Sequence, residues 1–521
     1  LNRYEQIAGI IDQAVALWSP RRAIHRRLDR EQLQRLQKRE QYAAAKTSRL
    51  TGAWSPTNTS VNAVIEASSP KVRARVRQLV RDFPVLANAI RKIQNYTVGS
   101  GIQLQSRVVR VNGKETFDDD AIRQIETAWD RWKEEADIAG KLHLDEMAGI
   151  AKRQDGECGE FLLIKTRSTK KGRFLPFALQ MVEPDWLSDL SVTPSSGAQN
   201  TEIRQGIEYD RKTCEVLAYH LVDPDDPIKA QRYKSESIIH GFETLRPGQL
   251  RGISILAAGV LLARDIDEMM QAELDAAKMA AKYLSFVTTA DPAGRQNSLV
   301  ETDSETQQKI ESMENAIIEY LRPGEKVEIA SNPRPGANFA PFIKLCLRFM
   351  AIATGIPYAI LSGDYEQIPY SSGRMVRNDM NVDLVPVQTR HVRHFYTPVF
   401  RTFLDEAVIS GRLVLPGYWQ NPQAYQKCEW FPPIVPSPEP LKDMKTDIEG
   451  IRAGLRSPYE VAKSRGKDAE EVLREIAKFN DLAKELGVII NLGGVSTADA
   501  NNPASLMDIG DGEGDGDRYD A

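Results

Sequence analysis

The stretch LSGDYEQIPYSSGRMVRNDM, residues 361–380, decides how the chain is read. It is short, polar and aromatic, with Gly363 and Gly373 supplying hinge-like backbone freedom. Before it, FAPFIKLCLRFMAIATG (339–355) is strongly apolar and of helical length, and GIPYAILSG (355–363) closes that helix. After it, a long helical pattern runs over about 372–410, with Pro386 and Pro398 expected to bend it. A polar loop therefore joins two long helices. Its Tyr365, Gln367, Tyr370, Ser371 and Ser372 carry groups suited to weak hydrogen bonds with phosphate or with neighbouring loops. Arg374, at the start of the next helix, either joins them or anchors the loop by an ion pair.

Working outward, residues 254–286 read as another long helix. Ser254 is a cap candidate, and Ile255, Leu256, Leu262, Ile266, Met269, Met270, Leu274 and Met279 recur at helical spacing. Ala276, Ala277, Ala280 and Ala281 allow close helix approach. This helix carries Lys278 and Lys282, and the apolar helix carries Lys344 and Arg348. Each pair is four apart and shares a face. They read either as salt-bridge partners or as a basic belt. Between the two helices lie a polar helical pattern at 302–320, the strand candidate EKVEIA (325–330) and the breaker NPRPG (332–336). Downstream, WFPPIVPSPEP (430–440) predicts a rigid connector, followed by helices at about 440–454 and 468–486. The tail after 500 is acidic and glycine-rich, a composition expected to stay disordered.

Toward the N-terminus, 69–98 reads as a helix capped by Ser68 or Ser69, with Pro70 in its first turn, Pro84 dividing it and VGSG (98–101) ending it. Ile102, Leu104, Val108 and Val109 suggest a strand, and Ile122, Ile125, Trp129 and Trp132 line one helical stripe. From 156 to 245 the pattern turns to short β-forming runs: FLLIKT (161–166), FALQMV (177–182), GIEYD (206–210), CEVLAYHLV (214–222) and ESIIHGF (236–242). SPTNTSVN (55–62) reads as a turn-rich linker. Ahead of it, 1–60 is polar and basic, with Arg21, Arg22, Arg26, Arg27 and Arg30. The segment 7–18 is interrupted by Asp12 and reads as an amphipathic helix rather than a signal peptide.

The whole chain holds 521 residues, 41% of them apolar, which is enough for about two to four domains of ~150 residues. Its 68 basic and 72 acidic residues leave a net charge of −4. A protein that grips DNA by neutralising phosphates carries a basic surplus. Any DNA contact here is therefore local, or is a passage. Cys158, Cys214, Cys346 and Cys428 lie far apart without CxxC spacing, which argues for four ordinary buried thiols rather than disulfides or zinc. No apolar run reaches the ~20 residues of a membrane span.

Catalytic patterns are weak. QDGECGE (154–160) brings Asp155, Glu157, Glu160 and Cys158 together, but its DG also predicts a turn before the strand FLLIKT. His391 and His394 share a helix face without an HExxH pattern and read as surface or interface residues. No phosphate-binding GxxxxGK[ST] and no GxSxG elbow occurs. No catalytic residue, metal ligand or cofactor is expected.

At GIPYAILSGDYEQIPYSSGR (355–374) the chain resembles the lambda-like family of tailed-phage portal proteins. That family carries a GDYS…NYSS.R string after a GIP-type turn. Glu366 stands where it often has Ser, and Pro369 where it often has Asn. The likeness continues in order through RQLVRDFPVLANAIRKIQNYTVGSGIQLQSR (77–107), WDRWKEEADIAGKLHLDEM…RQDGECGEFLL (129–163), RGISILAAGVLLARDIDEMMQAELDAAKMAAKYLSFV (251–287), FYTPVFRTFLDEAVISGRLVLPG (395–417) and CEWFPPIVPSPEPLKD (428–443).

The resemblance implies an α+β portal fold: long stem helices, a β-rich wing, a small α/β clip and a helical C-terminal crown, assembled as a ring around a central channel. It divides the chain into an N-terminal basic arm (1–60), wing (61–253), stem helix (254–286), clip (287–338), second stem helix (339–360), tunnel loop (361–373), wing return helix and connector (374–439), crown (440–490) and acidic tail (491–521). It implies a dodecamer in the particle, at the portal vertex of the virion, assembled in the host cytoplasm. Double-stranded DNA would pass without sequence specificity. Terminase large subunit, head-completion or adaptor protein, and major capsid and scaffold proteins would be partners, and no membrane. The rival readings are another DNA-binding virion protein acting through 21–49, and a hydrolase using Asp155, Glu157 and Glu160.

Overall fold

A computed structural model describes residues 56–109, 118–189, 200–223, 226–282, 338–366, 369–436 and 439–488, with short pieces at 15, 18–21, 191–192, 286–289, 301–302, 309–310, 325–328 and 336. Residues 1–60 form one unit and 61–521 a second. Most of the basic arm, residues 290–300 and the acidic tail lie outside the described residues.

In the second unit the first helix, α1 (Val61–Asp82), begins well before Ser69, and Pro70 sits inside it. This corrects the expected start, and the reason is tertiary. The Asn62 side chain donates to Gly248 O (2.8 Å) and accepts from Leu250 N–H (3.0 Å), which ties the first turn to a distant loop. Ser68 bonds back to Val64 O instead of capping. Pro84 divides the helix as expected: α2 (Pro84–Thr97) follows with proline in its first turn. Gly99 and Gly101, both at positive φ, end it, and a Cβ on Gly101 would meet the Asp145 carboxylate at 2.5 Å.

Strand β1 (Gln103–Ser106) pairs antiparallel with residues 428–431, far downstream. Helix α3 (Asp119–Lys133), capped by Asp118, buries Ile125, Trp129 and Trp132 on one stripe. Helix α4 (Leu144–Cys158) is closed at its start by a capping box between His143 and Glu146. It contains the whole of 154–158, so the turn expected at DG is instead helix. Gly156 is there for packing: a Cβ would lie 2.7 Å from Ile90 Cδ1. The turn comes at left-handed Gly159.

Strand β2 (Glu160–Arg167) is the centre of an antiparallel sheet, between β3 (Phe177–Val182) and β8 (Ile238–Phe242). It is buried along most of its length, as a central strand should be. A second antiparallel sheet runs β4 (Thr201–Arg204), β5 (Ile207–Asp210), β6 (Val216–Asp223) and β7 (Asp226–Lys234) in chain order. Trp132 stacks on Phe177 at 5.1 Å and donates its indole N–H to Phe177 O (3.0 Å). Trp129, Phe400 and Phe403 complete an aromatic core.

The first long stem-like helix starts as a 3-10 turn (Ile255–Ala258) whose Leu256 N–H is taken by Ser254 Oγ, then runs as α5 (Val260–Lys282). The described residues of 287–328 are strand: β9 (Phe286–Thr289) pairs with β12 (Glu325–Glu328), and β10 (Glu301–Thr302) with β11 (Lys309–Ile310). The strand at 325–328 was expected. The helix at 302–320 is not seen at its described residues, which pair as strand.

The second long helix, α6 (Phe339–Thr354), ends at left-handed Gly355. A five-residue helix, α7 (Tyr358–Ser362), ends at left-handed Gly363. Then α8 (Tyr370–His391), a π-helical turn (Val392–Tyr396) and α9 (Thr397–Ile409) form one run. Pro386 and Pro398 fall inside it; the wide turn lies between them. Val76, Leu86, Ile90, Leu256, Ile266, Met350 and Leu361 form one core shared by α1, α2, α5 and α6. Strand β13 (Cys428–Phe431) takes the first two residues of the expected proline-rich connector and pairs with β1. Helices α10 (Pro440–Arg452), α11 (Pro458–Ser464) and α12 (Ala469–Glu485) follow.

Candidate functional site

The loop between α7 and α8 is organised by one carboxylate. Gly363, at φ 73°, stops α7 and delivers Asp364 into the space beside α6. Asp364 Oδ2 accepts from the Tyr358 hydroxyl (3.0 Å) and from Lys344 Nζ (3.1 Å), and Oδ1 accepts from Glu366 N–H (3.4 Å). Ser362 Oγ bonds back to Tyr358 O (2.7 Å) and accepts from Asp364 N–H (3.2 Å). These bonds hold the Asp364 carboxyl below its usual range, the Lys344 hydrogen bond first, and raise Lys344. The Arg348 guanidinium lies 5.8 Å from the Tyr358 ring centroid. Asn88 of α2 donates to Leu361 O (2.8 Å), so α7 is fixed to the core beneath it.

The expected loop residues divide. Tyr365 is exposed and carries no assigned partner bond beyond an electrostatic influence on Tyr96. Ser371 and Ser372 are exposed on the first turn of α8. Gln367 and the Tyr370 side chain lie outside the described residues. Arg374 takes the anchoring alternative: it pairs with Glu439 (3.0 Å) and Asp443 (3.6 Å), at the start of α10. Arg377 adds a bond to Val435 O (2.7 Å). Of the four cations expected on the two long helices, Lys278 pairs with Asp275 (3.1 Å) and Lys344 with Asp364, while the Lys282 side chain lies outside the described residues. All three described ones are exposed.

The enzyme-like string does not converge on one centre. Asp155 is held by Lys152 (2.6 Å) and Glu157 by Arg153 (2.7 Å). Glu160 is fully buried at the start of β2. It accepts from Arg73 (3.3 Å), Arg251 Nε (3.0 Å), Arg251 Nη2, His240 (3.1 Å) and the Gly252 N–H (3.0 Å). Burial alone would raise its pKa, but Arg251 and His240 outweigh that and hold it far below the carboxylate range. This knot joins α1, β2, β8 and the approach to α5. Burial pushes the thiols of Cys158 and Cys428 up to about 11, so neither is a thiolate near neutrality. Cys214 is exposed, at φ 59° in a turn, which corrects the expectation of four buried thiols. His391 is also buried rather than at the surface, stacked on Phe395 at 5.5 Å, and burial lowers its pKa well below 6.5. Among the described residues no group of His, Cys, Asp or Glu is placed to hold a metal ion, and no helix is long and apolar enough to cross a membrane.

Sequence reading missed Asp364, Tyr358 and the knot. The Gly-Asp step after a helix is a local turn signal that marks Asp364. The partners of Glu160 lie 80 to 92 residues away and leave no local signal.

The geometry is that of two long helices rooted in a common core and joined by an anchored loop to a third. The chain is 26% identical over 476 residues to a probable portal protein of Halomonas phage phiHAP-1, covering 86% of this chain and 87% of that one. It is 22% identical over 461 residues to portal protein B of Escherichia phage lambda, covering 81% and 86%. Among solved structures it overlays the neck of an empty gene transfer agent particle with a TM-score of 0.46 and 13% identity, over 80% of this chain and 97% of that one. The family model for phage portal proteins of the lambda family matches residues 47–384, more than half of the chain. The chain therefore belongs to the lambda family of phage portal proteins, the proteins of the DNA channel at a capsid vertex.

Proposed function

We propose that the chain is one subunit of a closed ring, a dodecamer in the particle, through which terminase packages double-stranded DNA and through which that DNA later leaves. In this reading α5 and α6 are the stem, β9–β12 belong to the clip that faces the motor and then the head-completion protein, and α10–α12 form the crown. Residues 361–373 are the tunnel loop. Capsid and scaffold proteins surround the wing, and assembly takes place in the host cytoplasm.

The observation that carries the reading is the family match over residues 47–384, a range that includes α5, α6 and the loop that follows α7. Uncovered apolar side chains support ring closure. Leu261, Leu274, Phe349, Ile352, Val382 and Val385 are more than half exposed on the long helices of a single chain. Apolar faces of this kind mark contact with another chain, and repeated head-to-tail contacts close into a ring when the rotation permits.

The near-neutral charge suits sliding. A wall without a large basic surplus holds phosphates weakly, and a few cations guide the backbone without reading bases. Lys278, Lys282, Lys344 and Arg348 are the proposed belt. Tyr365, Gln367, Tyr370, Ser371 and Ser372 are the proposed loop contacts, while Arg374 holds the loop exit to the crown.

Electron microscopy of the purified protein tests the ring: a closed ring with a central channel is expected, and a compact monomer at high concentration overturns it. Deleting 364–372 is expected to leave rings intact and to impair packaging or DNA retention. Loss of ring assembly would instead make this loop a subunit seam. Normal packaging by a variant lacking all four belt charges would remove the belt from the reading.

A further inference from the structure

We propose that Asp364 is the positioning residue of the loop and that it competes with DNA phosphate for Lys344. The second half of this rests on the reading of 361–373 as the tunnel loop; the first half does not.

Three elements meet on one carboxylate. Lys344 comes from α6, Tyr358 from α7, and the Glu366 N–H from the loop itself. Because α7 is already tied to α2 through Asn88, Asp364 transmits that fixed position to the residues that follow it. A carboxylate with both oxygens engaged restrains the loop start; an amide in its place keeps the shape but loses the charge that holds an ammonium group.

Lys344 is only partly committed. Its side chain is 47% exposed and Asp364 is 27% exposed, so the pair stands at the surface of the stem. An ammonium group has three donors and takes any oxyanion. Phosphate offers the same chemistry as the carboxylate, at far higher charge density along a duplex. An exposed pair of this kind is weak and screened by salt, so a passing phosphate displaces Asp364 from Lys344 and loosens the loop start. Linkage makes the effect reciprocal: Asp364 weakens the hold of Lys344 on DNA by the same factor. The clamp thus keeps a wall cation from gripping while the channel is threaded.

The test uses the full-length protein as wild type, D364N, K344Q and the double variant. Hydrogen exchange is read at the amides of 363–366, and binding of a short blunt DNA duplex is read by anisotropy at low and raised salt. D364N is expected to exchange severalfold faster at those amides with the rest of the chain unchanged. K344Q is expected to show part of the same rise, with the double variant no faster than D364N. Duplex affinity is expected to rise severalfold in D364N, to lose that gain in the double variant, and to lose it with added salt. Unchanged exchange in D364N overturns the positioning role. An affinity gain that survives K344Q overturns the competition. If no form of the protein binds the duplex while exchange still rises in D364N, the tunnel-loop reading fails and the positioning role stands.

Discussion

Replacing Glu160 by Gln tests whether the buried knot holds α1, β2, β8 and the approach to α5 together. The substitution keeps shape and volume and removes one charge. Glu160 is fully buried, and the Arg251 and Arg73 side chains that face it are 2% and 6% exposed. Each carboxylate oxygen accepts at least two bonds: Oε1 from Arg73 and Arg251, Oε2 from His240 and the Gly252 N–H. An amide can keep one oxygen. Whichever it keeps, its NH2 group faces N–H donors, and buried guanidinium charge is left without its counter-ion. Removing one partner of a buried pair costs about 3–5 kcal/mol. At about 2–4 °C per kcal/mol for a cooperative unit of some 150–250 residues, the region around the knot should melt about 6–20 °C lower. The assay is calorimetry together with urea titration followed by tryptophan fluorescence, since Trp129 and Trp132 sit in the adjoining core. The pH dependence has a definite sign. The folded pKa of Glu160 is depressed, so its contribution is complete above the ordinary carboxylate value and is lost only as pH falls through the folded value. Wild type and E160Q should therefore differ most near neutrality and converge in strong acid. A melting point within about 1 °C of wild type at neutral pH would refute the reasoning, because it would mean that desolvation already cancels the pairing.

Other outcomes follow from the same geometry. Gly159→Ala should abolish soluble protein or lower its melting point sharply: a Cβ there would sit 2.1 Å from the Ile253 carbonyl carbon, at φ 88°, and a left-handed residue alone costs about 1–2 kcal/mol. Wild-type melting of that variant would disprove the close approach. Trp132→Phe removes the indole donor to Phe177 O, 3.0 Å away in a buried core, and should cost about 1–3 kcal/mol in urea titration. Burial, together with Asp468, Glu471 and Asp130, pushes Glu126 up to about 7 against the pull of the Ser106 N–H, so its favourable contribution is complete below its ordinary value of 4.5 and is lost as pH rises through about 7. Glu126→Gln should therefore be more stable than wild type at about pH 8 and lose that advantage toward about pH 5; parallel stability curves for the two proteins would count against the assignment.

How far the fold could be read in advance depended on whether the deciding contact was local. Helix α3 was legible because its apolar residues repeat at helical spacing, and strands β2, β3, β6 and β8 because they are runs of β-forming residues set between turn residues. Strands β4 (TEIR) and β7 (DPIKAQRYK) were not, since neither is such a run and both owe their form to pairing with neighbours. The DG at 155–156 illustrates the opposite failure. Its local signal is strong, yet Asp155 is engaged by Lys152 and Gly156 serves as a seat for Ile90, so the helix continues through it. The candidate site behaves in the same way. Spacing placed Lys344 and Arg348 on one face of a helix, and that spacing is a property of the helix alone. What each cation does depends on what stands opposite. Asp364 reaches Lys344 only because Gly355 and Gly363, both left-handed, turn the chain back beside α6. A carboxylate twenty residues from its lysine leaves no trace in helical periodicity. The carboxylate that engages Lys344 therefore lies in the turn after α7, in the one residue of GDYE that the pattern of aromatic and hydroxyl groups drew attention away from.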